Sequence, residues 1–217
     1  MGYKKDSLRD KKILITCGPT WVPLDQVRVI SNISSGILGQ TLALSLAQAG
    51  AKVTLLEGPV ARPLQSARVK ILKFSFFDEL HQLLKKELKK DYQAVIHAAA
   101  VADYKLCRPF ASKLDSHHRK VAFVLVPTAK LINKIKKLNP GIILVGFKLE
   151  SKISGQLAKE KARRLFQEAG CDWVVANRVW KERYEGYIMD RNDTILAHET
   201  TREGISRSLI QIMKARL

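Results

Sequence analysis

Apolar residues fall into short β-branched bursts separated by longer stretches with helical spacing, and the alternation runs the length of the chain. Lys12–Cys17 (KILITC) has the density expected of a buried parallel strand. A long loop follows, punctuated by Gly18, Pro19, Pro23, Ser34, Ser35 and Gly36. Over residues 37–49 the spacing becomes helical, and Gly50 stands where a helix C-terminus favours glycine. Residues 52–56 and 69–74 read as strands, and residues 76–90 as a helix with Phe77, Leu80, Leu84 and Leu88 on one face and lysines opposite. Residues 94–98 form a further strand. The second half repeats the rhythm, with strands at 121–126, 142–146 and 173–176 and helices at 128–137 and 157–169. Residues 187–190 and 194–197 flank Arg191–Asn192–Asp193 as a hairpin, and 201–216 is a last helix. This order predicts an α/β fold, a doubly wound, mostly parallel sheet with a C-terminal β-hairpin and helix, in one domain over residues 1–217. The least patterned stretch, 104–119, is a candidate mobile loop of the kind that closes over sites.

Composition narrows the function classes. No run approaches the ~20 apolar residues that span a bilayer, and the charged start MGYKKDSLRDKK has no apolar signal core, so a cytoplasmic, non-exported protein is expected. Cys17, Cys107 and Cys171 are too few and scattered for a disulfide framework or a zinc site. The net charge of +18 is the ambiguous feature. It admits a nucleic acid, phosphorylated small molecules, or simply a solvated lysine surface. Lys85, Lys86, Lys89 and Lys90 fall in one amphipathic stretch, and Lys130, Lys134, Lys136 and Lys137 in another, without interleaved aromatics for stacking on single strands. That distribution favours the solvated surface over nucleic acid.

Ligands of an open parallel sheet bind beyond the carboxyl ends of its strands. This directs attention to the loops 18–39, 98–113, 147–150 and 176–178. The first ends in Ser34–Ser35–Gly36–Ile37–Leu38–Gly39 at a helix start, where small residues let backbone N–H groups approach a phosphate. An ordinary N-cap by Ser34 or Ser35 explains the same residues. Arg28 is either a phosphate or carboxylate partner or a surface arginine, and Asn32 either a ligand contact or a turn residue bonded to its own backbone. The run Ala98–Ala99–Ala100–Val101–Ala102–Asp103 permits close backbone approach by a ligand, or equally close helix–strand packing with Asp103 as a cap. His97 reads as a satisfied core histidine, and His117 and His118 as exposed side chains with no third ligand spaced for zinc. The phosphate loop is neither a Walker loop nor G-x-G-x-x-G, and no tyrosine has a lysine four residues later. Both absences weigh against the alternative of an NAD(P)-dependent oxidoreductase.

Together these segments resemble the phosphopantothenoylcysteine synthetase family. The resemblance rests on Gly18–Pro19–Thr20, on Pro23–Leu24–Asp25–Gln26–Val27–Arg28, and on Ile30–Ser31–Asn32–Ile33–Ser34–Ser35–Gly36. It continues through Glu57–Gly58–Pro59–Val60, Ala98 to Tyr104, Val145–Gly146–Phe147 and Val175–Ala176–Asn177. It implies a Rossmann-like sheet, a homodimer, and the stand-alone form of a phosphopantothenate–cysteine ligase of coenzyme A biosynthesis, with decarboxylation left to a separate phosphopantothenoylcysteine decarboxylase. The family activates the 4′-phosphopantothenate carboxylate with CTP or ATP and Mg²⁺, releases pyrophosphate, and lets the cysteine amine displace the nucleotide. By the resemblance, Gly18, Ser34, Gly36, Gly39, Phe147 and Asn177 hold the nucleotide. Asn32, Ala99, Ala100 and Asp103 hold phosphopantothenate, with Arg28 supplied across the dimer. Lys113 serves acyl activation, and Asn32 the attack of cysteine. No residue is implied as a metal ligand. The chain departs from the family at Cys17–Gly18–Pro19, where Gly–Gly is common, and at Lys148–Leu149, where two alanines are common. On the helix before Asn177, Arg164 is the nearest equivalent of one nucleotide-binding lysine, and Glu168 or Ala169 falls near the other.

Overall fold

The structure, a computed structural model, describes residues 8–115, 117, 119–181 and 183–217. In chain order the elements are β1 (Lys12–Cys17), β2 (Trp21–Pro23), β3 (Val29–Ser31), α1 (Ile37–Gln48), β4 (Lys52–Glu57), β5 (Val69–Lys73), α2 (Phe77–Glu87), β6 (Ala94–His97), β7 (Tyr104–Leu106) and β8 (Leu125–Pro127). They continue with α3 (Ile132–Leu138), β9 (Ile143–Leu149), α4 (Gly155–Ala169), β10 (Trp173–Trp180), β11 (Arg183–Met189), β12 (Ile195–Glu199) and α5 (Arg202–Arg216).

Eight strands make one sheet in the order β12-β11-β10-β9-β6-β1-β4-β5. The six from β5 to β10 run parallel, and β11 and β12 continue the sheet as an antiparallel meander. Numbered along the chain, the parallel strands lie in the order 3-2-1-4-5-6, the Rossmann-like doubly wound arrangement, and the winding reverses between β1 and β6. Each central strand is buried on both faces, and alternate residues feed two cores. Ile13, Ile15, Leu55, Ile96, Val145 and Val175 pack with Leu42 and Leu46 of α1 and Ile205, Leu209 and Met213 of α5. Leu14, Leu56, Val95, Leu144 and Val174 pack with Leu80 and Leu84 of α2, Ile135 of α3, and Ala158 and Ala162 of α4.

Several elements differ from the sequence expectation. The loop after β1 contains the β2–β3 hairpin, and the strand expected over 121–126 is shorter and pairs with β7 in a separate two-stranded sheet. Both ladders are only three residues long, too brief to show a period of two. The expected strand at 173–176 extends to Trp180, because β10 turns back through Lys181, at φ +53°, into β11. Gly50, at φ +94°, follows the α1 C-cap Ala49.

One side chain in the sheet is left unsatisfied. Tyr184 on β11 is buried, with the Arg202 guanidinium 5.4 Å from its ring centroid, and its hydroxyl has no hydrogen-bond partner among the described residues. A buried hydroxyl without a partner costs about 1–3 kcal/mol. Tyr184→Phe is therefore expected to raise the unfolding free energy by about 1 kcal/mol in urea titrations. A loss of stability would mean that the hydroxyl is bonded in solution.

Candidate functional site

The carboxyl ends of β1, β6, β9 and β10 open into a cavity of ≈ 900 Å³. Its shape follows from how α1 meets β1. A Cβ on Gly39 would lie 2.3 Å from Cys17 Cβ, so only glycine lets the first turn of α1 rest on the end of β1. Gly36 is the N-cap at φ +72°, and a Cβ there would meet Val60 Cγ1 at 2.8 Å. No side chain caps this helix, and Ser35 Oγ only accepts a long bond, 3.4 Å, from the Ile37 N–H. The alternative of a side-chain cap by Ser34 or Ser35 does not hold, because a left-handed glycine takes the N-cap position. The first-turn N–H groups stay available at the positive end of the helix dipole.

Backbone bonds stitch the small-residue turn after β6 to the loop after β1. The Ala98 and Ala100 N–H groups donate to the Thr16 and Gly18 carbonyls at 3.0 and 2.9 Å, and the Thr20 N–H returns a bond to Ala100 O at 3.3 Å. Asn32 Nδ2 donates to the same Ala100 carbonyl at 3.1 Å. Phe147 and Asn177 come from the neighbouring strands β9 and β10. Of the residues singled out from the sequence, Asn32, Ser34, Gly36, Gly39, Ala99, Ala100, Asp103, Phe147 and Asn177 all line the one cavity. Gly18, Arg28 and Lys113 do not. Gly18, at φ +77°, lies where a Cβ would crowd Gly58 Cα at 3.1 Å, so its evident task is to let two backbones pass closely. The Glu57–Gly58 segment buttresses this crossing. The fully buried Glu57 carboxylate accepts bonds from Gln40 Nε2 at 2.7 Å and the Leu64 N–H at 3.0 Å, and pairs with Lys73.

Arg28 belongs to a second cluster built on Asp25, which also holds the backbone of Leu114, the residue after Lys113. The buried Asp25 carboxylate accepts from the Val27, Arg28 and Leu114 N–H groups at 2.9, 2.7 and 3.0 Å and from Arg28 Nη1 at 2.9 Å. Burial pushes its pKa up, but those N–H donors and the Arg28 charge outweigh it and hold the carboxyl below its ordinary value. Arg28 Nη1 also donates to Leu114 O at 3.2 Å, so the arginine loop and the lysine segment are latched together.

The cavity wall is strongly cationic, which the sequence pattern did not disclose. Lys130, Lys148, Lys161, Arg164, Lys181 and Arg202 line it, against two carboxylates, Asp103 and Glu168. Both carboxylates are already paired, Asp103 with Lys130 at 2.5 Å and Glu168 with Arg164 at 2.6 Å. The sequence pattern groups Lys130 with a solvated helix face. It lies before α3 and reaches Asp103 through a turn closed by the Thr128 N–H on Asp103 O. A spacing pattern carries no trace of such a contact.

The remaining candidates are the two buried cysteines and the histidines. Burial and the nearby Glu57 push the Cys17 thiol far up, and burial and Asp172 push Cys171 up to about 12, so neither is a thiolate nucleophile. His97 is buried, as the sequence suggested, with Nδ1 3.0 Å from Thr16 Oγ1. His117 is exposed beside Asp115 at 2.7 Å, and His118 lies outside the described residues. Among the described residues no group of three or more His, Cys, Asp or Glu is placed to hold a metal ion, and no helix is long and apolar enough to cross a membrane.

Comparison with known proteins agrees with this arrangement. Residues 8–215 match the family model for the DNA/pantothenate metabolism flavoprotein C-terminal domain. The coenzyme A biosynthesis bifunctional protein CoaBC of Thermococcus kodakarensis is 34% identical over 191 residues, covering 88% of this chain and 45% of that protein. The CoaBC of Borreliella burgdorferi is 31% identical, covering 97% and 54%. The chain thus spans about half the length of these relatives. Among solved structures, the DNA/pantothenate metabolism flavoprotein from Streptococcus pneumoniae superposes with a TM-score of 0.86 at 25% identity, over 95% of this chain and 100% of that one. A mutant of Cab2 in complex with phosphopantothenate-cysteine shares the fold, with a TM-score of 0.72 at 18% identity over 96% and 90%. The match across residues 8–215 shows that the chain belongs to the DNA/pantothenate metabolism flavoprotein C-terminal domain family.

Proposed function

We propose that residues 1–217 act as one phosphopantothenate–cysteine ligase domain of coenzyme A biosynthesis. The observation that carries this reading is the single cavity in which an uncapped helix N-terminus, the Asn32–Ala100 contact and six cations converge. Its ≈ 900 Å³ is at the upper end of ligand-site volumes, which suits two substrates held side by side. Both would be anionic, a nucleoside triphosphate and 4′-phosphopantothenate. The Cab2 complex with phosphopantothenate-cysteine, on the same fold, supports the phosphopantothenate half of that pairing. The oxidoreductase alternative gains no support, because the β1–α1 turn has no glycine fingerprint.

In this reading the first turn of α1, with Ser34, Gly36 and Gly39, receives triphosphate oxygens. Phe147 and Asn177 lie against the nucleoside, and the α4 cations offset phosphate charge. Attack of the pantothenate carboxylate on the α-phosphate brings several negative charges together, and fixed N–H donors and cations lower that barrier by electrostatics. Pyrophosphate leaves, the cysteine amine then attacks the acyl-nucleotide, and the nucleoside monophosphate departs. The neutral Asn32 amide, steadied on Ala100, orients the acyl carbonyl without taking a proton. Ala99, Ala100 and Asp103 border the phosphopantothenate. Mg²⁺ would arrive on the triphosphate as part of the substrate, since the two cavity carboxylates are already engaged with Arg164 and Lys130. Lys113 stands off the cavity, so its role in acyl activation requires the 110–114 segment to move inward when substrates bind.

The homodimer is part of the proposal. Val27, Val29, Ile30 and Ile33 around β2–β3 are exposed, as are Phe123, Val124 and Leu125 leading into β8. A cluster of large apolar side chains on two small hairpins suits a second copy. It would also bring the neighbouring Arg28 close to that copy.

Three outcomes check these statements. Pyrophosphate release should require both phosphopantothenate and a triphosphate, with phosphopantothenoylcysteine appearing only when cysteine is added, and parallel CTP and ATP assays decide the nucleotide. Failure to form product with either CTP or ATP would refute the ligase. Lys113→Gln should abolish pyrophosphate release, whereas Asn32→Asp should preserve a pyrophosphate burst and slow complete turnover by roughly 10²-fold. Full turnover in Asn32→Asp would remove that role. Light scattering should give twice the 24.4 kDa chain mass, falling to one chain in Ile30→Glu/Val124→Glu.

A further inference from the structure

One titratable side chain on the cavity wall has no part in the chemistry above. His97 ends β6 beside β1, in register with Thr16, where the winding of the sheet reverses. It lines the cavity but is only 7% exposed. Its Nδ1 lies 3.0 Å from Thr16 Oγ1, and that fully buried hydroxyl already accepts a 3.2 Å bond from the Ala99 N–H.

Proton counting assigns the tautomer. The Thr16 hydroxyl has one proton to donate, and among the described residues its only acceptor in reach is His97 Nδ1. Were Nδ1 protonated instead, two donors would point at Thr16 Oγ1, and the hydroxyl proton would be buried with no acceptor, which is costly. Nδ1 is therefore the acceptor and Nε2 carries the hydrogen. Burial also lowers the His97 pKa to about 4, so the ring keeps this neutral form near pH 7. Nε2 has no hydrogen-bond partner among the described residues, and the residue that carries it lines the cavity.

We propose that His97 is a substrate-contacting residue whose Nε2–H donates a hydrogen bond to a phosphoryl or carboxylate oxygen bound in the crevice between β1 and β6. The identity of that anion rests on the ligase reading, whereas the existence of the fixed donor does not. A neutral donor differs in kind from the cations around it. It orients an oxygen without neutralising its charge and without lending a proton to the reacting carboxylate.

Histidine-selective ¹⁵N NMR on the full chain tests the donor directly. The expected His97 spectrum is that of the Nε2–H tautomer, unchanged from pH 5.5 to 8, whereas an ordinary histidine titrates near pH 6.5. Pyrophosphate, CTP or ATP, and 4′-phosphopantothenate are then added separately, with calorimetry measuring binding of each. At least one bound probe should move the Nε2 resonance, and the probe that does so identifies the source of the oxygen. An Nδ1–H tautomer, or a His97 resonance unmoved by every probe that binds, overturns the proposal and leaves the ligase reading intact. If calorimetry finds no binding of any probe, both fall together. His97→Gln retains a donor near the Nε2 position, so it should hold the affinity for the responsive probe within about threefold, whereas His97→Leu should lose about tenfold. Equal losses in the two variants would show a packing role and overturn the contact.

Discussion

Everything at this site depends on how closely helix α1 can approach strand β1. The contact is at Gly39, whose missing side chain leaves room for Cys17. Any Cβ there would have to displace the helix from the strand, because Cys17 Cβ is fixed to the backbone and cannot swing aside. Gly36, in a left-handed conformation against Val60, sets the direction from which the chain enters the helix. These two glycines decide where the first-turn N–H groups point. The stitched loops after β1 and β6 then fix the facing wall, and Asn32 is bonded across it. The crevice therefore exists before any ligand arrives, as preorganised electrostatics requires.

The same geometry gives part of the +18 charge a location. Many lysines, including Lys85 and Lys86 on α2 and Lys89 just beyond it, face solvent and contribute only a general field. Others converge. Lys130 precedes α3, Lys148 is on β9, Lys161 and Arg164 are on α4, Lys181 is at the β10–β11 turn and Arg202 begins α5. Five separate segments deliver cations to one opening, and four of these cations, Lys130, Arg164, Lys148 and Lys161, pair with Asp103, Glu168, Glu150 and Glu160. Such a mouth attracts small polyanions over a distance of about a Debye length, and the effect weakens as salt is added.

The layout also separates tasks that sequence motifs run together. Ser34, Gly36, Gly39, Ala99 and Ala100 border the cavity, whereas Gly18 and Glu57–Gly58 hold up the crossing beneath it. Arg28 sits apart on the Asp25 latch, which also holds the backbone of Leu114 next to Lys113. Within residues 18–39, then, some residues shape the backbone, some face the cavity, and some connect to a segment 86 to 89 residues away.

The sequence by itself determined the sheet and its winding, because buried parallel strands and amphipathic helices carry their periods locally. The strand over Lys12–Cys17 and the helices around Leu42, Leu84 and Ala162 lie where their patterns put them. It also marked the glycine- and alanine-rich turns, since only small residues permit such close backbone approach. The three-residue ladders of β2–β3 and β7–β8 were beyond it, as was the return of β10 into β11, because pairing between short segments is settled by what lies opposite. Only the closed fold pairs the exposed Lys130 with Asp103, joins Asp25 to both Arg28 and Leu114, and lets Thr16 set the proton on His97. Each of these is a contact between residues distant in the chain, and hydrophobic periodicity holds no information about which polar atoms meet when the sheet closes.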